Sequence, residues 1–157
     1  MTGDSFDQYT EHVYRLDPGR VPTMPPPPDF AQVTLAAHDR AAVLEAAGIL
    51  ADHLPVERVV LYGSKARGDD RSDSDIDLLI LTSRPLSVAE GFQVTELLQP
   101  VQHRHHCIIS PLRLTADEWY HGVYQVLGIR HEIDRDGIDV PLSPNAQAIR
   151  RSKLVPR

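Results

Sequence analysis

The sequence contains a single cysteine, Cys107, so one chain cannot form an internal disulfide. This scarcity favours a reducing compartment, and we expect a cytoplasmic protein. No apolar run approaches the roughly 20 residues that a membrane-spanning helix needs, so we expect no membrane association. The first residues, MTGDSFDQYTEH, are polar and acidic, and they do not resemble a secretory signal.

Basic residues are fewer than acidic ones: 16 Lys and Arg face 22 Asp and Glu, which gives a net charge of −6. This balance disfavours a protein that tracks along DNA by neutralising phosphates. A nucleic-acid partner nevertheless stays open, because Lys65, Arg67, Arg71 and Arg84 lie close enough in sequence for a local basic patch.

The composition changes along the chain predict three regions. Residues 1–28 form an N-terminal arm and a proline-rich linker, since the run Thr-Met-Pro-Pro-Pro-Pro that begins at Thr23 cannot continue a helix. Residues 29–142 carry the apolar periodicity of one folded domain. Residues 143–157 read as a flexible tail that ends in Leu-Val-Pro-Arg, which resembles a thrombin linker left by an expression tag.

Helices and strands are expected to alternate in the folded domain. The apolar and turn-forming residues predict a helix over 29–54, strands over 58–62 and 75–81, a helix over 87–98 closed by Pro100, and a strand over 103–110. A further helix is predicted to begin with a capping box at Thr115 and Glu118 and to present Trp119, Val123, Val126 and Leu127 on one face. A helix end followed by a short strand is predicted within 129–140. This order predicts a small mixed β-sheet flanked by helices, in the α/β (α+β) class.

Two aspartates stand at the head of the second predicted strand, which otherwise reads as buried. Side chains two residues apart share a strand face, so Asp75 and Asp77 project together, while Ile76, Leu78 and Ile80 project to the opposite face. Neighbouring carboxylates repel each other, and a divalent cation is the natural compensation. Mg²⁺ is often held by one or two carboxylates together with substrate phosphates.

The first predicted strand ends in a Gly-Ser turn. Gly63 lets the backbone approach a phosphate, and the Ser64 hydroxyl and nearby backbone N–H groups can donate to phosphate oxygens. Lys65 and Arg67 add positive charge in the same turn. A Gly-Ser turn alone, or solvated aspartates alone, would be ordinary, but their conjunction predicts one site for a nucleotide and a metal.

The runs Gly-Ser-Lys-Ala-Arg-Gly from Gly63 and Ser-Asp-Ile-Asp-Leu from Ser74 resemble the signature of the nucleotidyltransferase superfamily related to DNA polymerase β. The resemblance is to its minimal, single-domain members. The sharp match covers residues 61–81, and a similar order of elements extends over about 30–140. Residues 29–142 would then be a nucleotidyltransferase domain.

The resemblance implies transfer of a nucleoside monophosphate from a nucleoside triphosphate, with ATP the expected donor, to an acceptor hydroxyl, assisted by one or two Mg²⁺ ions. Carried over by position, the site residues are Asp75 and Asp77 for catalysis and metal binding, and Gly63, Ser64, Lys65 and Arg67 for nucleotide binding.

A third carboxylate, which many active members carry on a later strand, is missing from the expected segment, residues 101–111. His105 or His106 is a candidate for its place, because a neutral imidazole can act as a base. The next carboxylates, Asp117 and Glu118, read as helix-start residues.

Three functions are compatible with these features. The first is an active transferase whose acceptor site is completed by a protein partner or a homodimer mate. The second, suggested by the same resemblance, is an antitoxin-like module that neutralises a small helical partner protein, with or without adding AMP to it. The third is a sensor that binds a triphosphate without turnover.

Overall fold

The computed structural model describes residues 29–142, and the predicted arm, linker and tail lie outside them. In chain order the elements are α1 (Ala37–His53), β1 (Val56–Tyr62), α2 (Ser64–Arg67), β2 (Ile76–Thr82), α3 (Val88–His105), β3 (Ile109–Thr115), α4 (Ala116–His121), α5 (Gly128–Asp136) and β4 (Ile138–Asp139), with 3-10 turns at Phe30–Gln32 and Val123–Val126.

The four strands form one mixed sheet in the order β3-β2-β1-β4. Strand β1 runs antiparallel to β2 and β4, whereas β2 and β3 are parallel. The predicted class, a small mixed sheet flanked by helices, is therefore confirmed.

Alternate side chains of β2 enter two different apolar cores. Ile76, Leu78 and Ile80 pack with buried residues of α1 and α3 on one face of the sheet. Leu79 and Leu81 pack on the other face against a cluster that includes Trp119. Because both faces of the sheet are covered at β2, this strand is apolar at nearly every position.

Helix α3 continues past Pro100 to His105, so the prediction that Pro100 closes this helix is wrong. Proline removes one backbone hydrogen bond, to the carbonyl of Glu96 four residues earlier, but both residues are exposed, and water can satisfy that carbonyl. Val101 in the next turn is buried, and the side chains of Arg104 and His105 both contact Glu45 on α1. These tertiary contacts hold the final turn of α3 in place.

The prediction of a strand over residues 103–110 is wrong for the same reason, since β3 begins only at Ile109. The helix predicted behind the capping box also ends early. Thr115 and Glu118 do form the box, and Trp119 is fully buried, but α4 stops at His121. Val123 and Val126 lie in the following 3-10 turn and are 66% and 77% exposed, so they do not continue the buried face.

No helix within residues 29–142 has both the length and the apolar character needed to cross a bilayer.

The start of α3 carries a pH-dependent cap. Glu90 accepts a hydrogen bond from the Ser87 N–H at 2.8 Å and pairs with Arg84 at 2.7 Å. The hydrogen bond from Arg84, aided by the Ser87 N–H, lowers the pKa of Glu90 from 4.5 to about 2. Because the pKa of Glu90 is lower in the folded state than in the unfolded state, its ionised form stabilises the fold. This stabilisation is complete above about pH 5 and is lost as the pH falls towards 2.

We therefore expect Glu90→Gln to lower the free energy of unfolding at about pH 6, and we expect the deficit to shrink steadily below about pH 4.5. Urea unfolding of Glu90→Gln and of the wild type across this pH range measures the difference in the free energy of unfolding. Glu96→Gln, an exposed charge change on the same helix, is the matched control. A deficit that is constant with pH would contradict this account of the cap.

Candidate functional site

Three polar side chains form a row across the sheet at one end of β2. Tyr62 of β1 pairs with Asp77 of β2, and Asp77 in turn pairs with Ser110 of β3. Directly paired residues project to the same face of a sheet. The Ser110 hydroxyl donates to Asp75 Oδ2 at 3.1 Å, which ties the second aspartate to this row.

Gly63 lies directly against Asp77. A Cβ added to Gly63 would stand 2.4 Å from Asp77 Oδ2, closer than real side chains approach. Its φ of +75° is also a conformation that glycine adopts far more readily than other residues. The turn that the sequence assigned to a phosphate therefore meets the carboxylate that the sequence assigned to a metal.

The environment of Asp77 disfavours its negative charge. Burial raises the pKa of Asp77 above its ordinary value, and the charges of Asp75 and Glu132 add to the shift, while Arg67 opposes it. Burial also raises the pKa of Tyr62, with further contributions from Asp77 and Glu132. At this end of the sheet, Arg67 does not fully offset the negative charges of Asp75, Asp77 and Glu132.

Glu132, on α5, is a member of this cluster that the sequence reasoning missed. Its carboxylate accepts a hydrogen bond from Arg67 Nη1 at 2.9 Å, and Arg67 also pairs with Asp69 at 3.2 Å. Residues 129–140 were predicted to contain a helix end. The neighbouring Ile133 is buried against the sheet, and this packing sets the position of Glu132. Only the docking of α5 brings Glu132 to the end of α2.

Lys65 does not face this cluster. Its ammonium, 2% exposed, pairs with Asp39 Oδ2 at 2.8 Å and with Asp70 Oδ2 at 3.1 Å. The burial of this ammonium and its two carboxylate partners separate Lys65 from a phosphate at the turn. The structure thus brings Gly63, Arg67, Asp75 and Asp77 together, with Ser64 next to Gly63, and holds Lys65 apart.

The place opposite Asp77 on β3, where a third carboxylate was expected, belongs to Ser110. His105 Nε2 contacts Glu45 at 2.7 Å, and His106 caps α3, so neither imidazole stands on β3. The Glu118 carboxylate accepts the Thr115 N–H at 2.8 Å in the capping box.

Asp117 lies in the first turn of α4, as the sequence suggested. Within residues 29–142, no group of three or more His, Cys, Asp or Glu side chains is arranged to hold a metal. Asp75 and Asp77 alone still match what Mg²⁺ requires, because this ion often binds one or two carboxylates and completes its shell with water and substrate phosphates. The residues present therefore fit a cation that arrives with a nucleotide.

We expect Gly63→Ala to lower the free energy of unfolding by more than about 1 kcal/mol, since alanine at positive φ is strained and its Cβ meets Asp77. Gly48→Ala is the matched control. A Cβ there meets nothing within 4 Å, and alanine inside helix α1 should stabilise the protein by about 0.5–1 kcal/mol.

Urea unfolding of both variants measures the two effects. In an Asp77→Ala background the cost of Gly63→Ala should shrink, because the oxygen that the new Cβ meets is gone. Equal stability of Gly63→Ala and the wild type would show that the turn does not lie as described.

Comparison with known proteins gives one family and one curated relative. Residues 43–120 match the family described as Nucleotidyltransferase domain. Over 64 residues the chain is 36% identical to a Methanocaldococcus jannaschii protein with the provisional name protein adenylyltransferase. The aligned part is 41% of this chain and 63% of that relative, so the chain spans less than two thirds of its length.

Solved structures give more distant likenesses. A toxin–antitoxin crystal structure with AMP-PNP aligns at a TM-score of 0.45 and 14% identity, over 75% of this chain and 83% of that one. Two mutants of the toxin–antitoxin MntA-HpeT align at TM-scores of 0.44 and 0.42 and 15% identity, over 75% and 76% of this chain and 83% of theirs. These scores are too low to establish a shared fold by themselves.

The family match spans the Gly63 turn and both Asp75 and Asp77, and the four-stranded mixed sheet places all three at one edge. Residues 43–120 of this chain, which carry the candidate site, are therefore similar to the nucleotidyltransferase domain family.

Proposed function

We propose that this protein is a Mg²⁺-dependent nucleotidyltransferase that moves a nucleoside monophosphate from a nucleoside triphosphate to an acceptor hydroxyl. The observation that carries the proposal is the contact between the two halves of the site: a Cβ on Gly63 would stand 2.4 Å from Asp77 Oδ2. This proximity allows one ligand, a triphosphate with its bound cation, to touch the turn and the carboxylate at once.

Each residue has a distinct role in the proposed site. Asp75 and Asp77 hold the cation, and the Ser110 hydroxyl orients Asp75 by its hydrogen bond. Gly63 and Ser64 receive the phosphates, because the missing side chain of Gly63 leaves room and the Ser64 hydroxyl can donate. Arg67 supplies a guanidinium that can bind a phosphate oxygen once it exchanges Glu132 for the ligand.

Lys65 is not included in the proposed phosphate contacts, since its ammonium is already paired with two carboxylates.

In the proposed reaction the acceptor oxygen forms a bond to the α-phosphorus, and the bond from that phosphorus to the bridging oxygen of the β-phosphate breaks. Pyrophosphate leaves with that oxygen, and the acceptor hydroxyl releases its proton to water. One or two bound Mg²⁺ ions would supply polarisation of the phosphate and stabilisation of the leaving group. The chain itself contributes position and electrostatics.

ATP is the donor that we favour, and a protein is the acceptor. The name of the Methanocaldococcus jannaschii relative points to AMP transfer onto protein. The acceptor would be held by a partner or by a second copy of this chain, and we propose that the reaction takes place in the cytoplasm.

Incubation of the purified protein with Mg²⁺, each of the four α-labelled triphosphates and a cell lysate tests the proposal. We expect label from ATP to appear on protein. Asp75→Asn and Asp77→Asn should each reduce the rate by more than about 100-fold, since loss of a metal ligand exceeds the effect of losing its outer-shell support.

Asp73→Asn is the matched control, because Asp73 is an exposed carboxylate of the same loop that pairs only loosely, at 3.5 Å, with Arg71. It should transfer label at the wild-type rate. Transfer by Asp75→Asn or Asp77→Asn at that same rate would contradict the assignment of the site.

A second candidate function is neutralisation of a helical partner protein by contact alone. The presence of Ser110 where active relatives were expected to carry a carboxylate favours it. In that case the protein would bind its partner equally well in the Asp75→Asn and Asp77→Asn variants, and no label would be transferred.

A further inference from the structure

Lys65 is a buried charged side chain that the proposed chemistry does not use. It is the second residue of α2, directly after the Gly63–Ser64 turn, and its side chain is 2% exposed. Burying an ammonium group is costly unless it is paired and hydrogen-bonded. Here two carboxylates, Asp39 and Asp70, accept from its Nζ.

This one ammonium joins three segments: its own turn, the loop five residues further on, and helix α1, 26 residues earlier in the chain. Asp39 belongs to the first turn of α1 and is itself buried, with His38 Nε2 at 3.3 Å from its other oxygen. Asp70 belongs to the loop between α2 and β2, which leads to Asp75. Lys65 therefore connects the Gly-Ser turn, the loop before the aspartates and the helix that packs beneath them.

The burial of the Lys65–Asp39 pair does not by itself imply a gain in stability. A buried ion pair loses the hydration of both charges, and an apolar pair of similar volume is often as stable. Burial alone would lower the pKa of Lys65, but the hydrogen bonds to Asp39 and Asp70 outweigh it and raise that pKa. The ammonium is therefore charged at neutral pH, and it fixes the direction of both carboxylates.

We propose that Lys65 is a positioning residue of the nucleotide site, which holds the Gly63–Ser64 turn and the loop that leads to Asp75 in register by binding Asp39 and Asp70. The inference rests on the proposed function. It explains why a lysine in a phosphate-binding turn faces inward: it orders the residues that bind the ligand and does not touch the ligand.

Asp70→Ala tests the connection to the loop. The Asp70 side chain is 26% exposed, and the buried Lys65–Asp39 pair remains intact in this variant, so the protein should still fold. We expect the Kd for Mg²⁺ with a non-hydrolysable ATP analogue, measured by calorimetric titration, to rise about tenfold, as is usual when outer-shell support is lost.

Asp70→Asn, which keeps an acceptor oxygen but not the charge, should fall between Asp70→Ala and the wild type. Asp73→Ala makes the same charge change in the same loop and should bind the analogue with the wild-type Kd. A purely structural role would lower the unfolding temperature of Asp70→Ala and leave its Kd unchanged.

The connection to α1 is tested by Asp39→Leu combined with Lys65→Met, which removes both buried charges together. This double variant should retain a cooperative unfolding transition and bind the analogue more weakly than the wild type. Wild-type affinity in this variant, or in Asp70→Ala, would overturn the positioning role and leave the proposed function intact. If the wild type itself does not bind the analogue with Mg²⁺, the proposed function fails, and the positioning role fails with it.

Discussion

The close approach of the Gly63 backbone to the Asp77 carboxylate is the constraint on which the rest of the site depends. Strands β1 and β2 pair so that Tyr62 lies opposite Asp77, and the chain must therefore turn away from β1 directly beside that carboxylate. Only a residue without a Cβ leaves room for Asp77 Oδ2, which a Cβ on Gly63 would approach to 2.4 Å. The turn and the acidic pair are consequently one structural unit, although ten residues, 65–74, separate Ser64 from Asp75 in sequence.

Charge is distributed unevenly around this unit. Asp75, Asp77 and Glu132 concentrate negative charge at this end of the sheet, and the Arg67 guanidinium partly offsets it at Asp77. Lys65, from the same turn, is directed inward to Asp39 and Asp70. Burial and the neighbouring carboxylates raise the pKa of Asp77, so the folded chain stabilises its ionised form poorly. A divalent cation would remove that conflict, and a bound triphosphate would give Arg67 a new partner.

The sequence predicted the structural features that depend on local pattern. The alternation of Asp and apolar residues in β2, the Gly-Ser turn and the capping box at Thr115 each involve residues close together in the chain. It did not predict the parts that depend on packing between distant elements. Glu132 reaches the site only because Ile133 docks α5 on the sheet, and Pro100 is tolerated because Glu45 on α1 holds the last turn of α3. The inward direction of Lys65 likewise depends on Asp39, a residue of α1 that no local motif connects to the turn.

A crystal structure of the protein with Mg²⁺ and a non-hydrolysable ATP analogue tests the central claim most directly. The account predicts a cation about 2.0–2.1 Å from oxygens of both Asp75 and Asp77, with the triphosphate against Gly63 and Ser64. A structure in which the two carboxylates point apart, and the cation and nucleotide bind at another place, would contradict it.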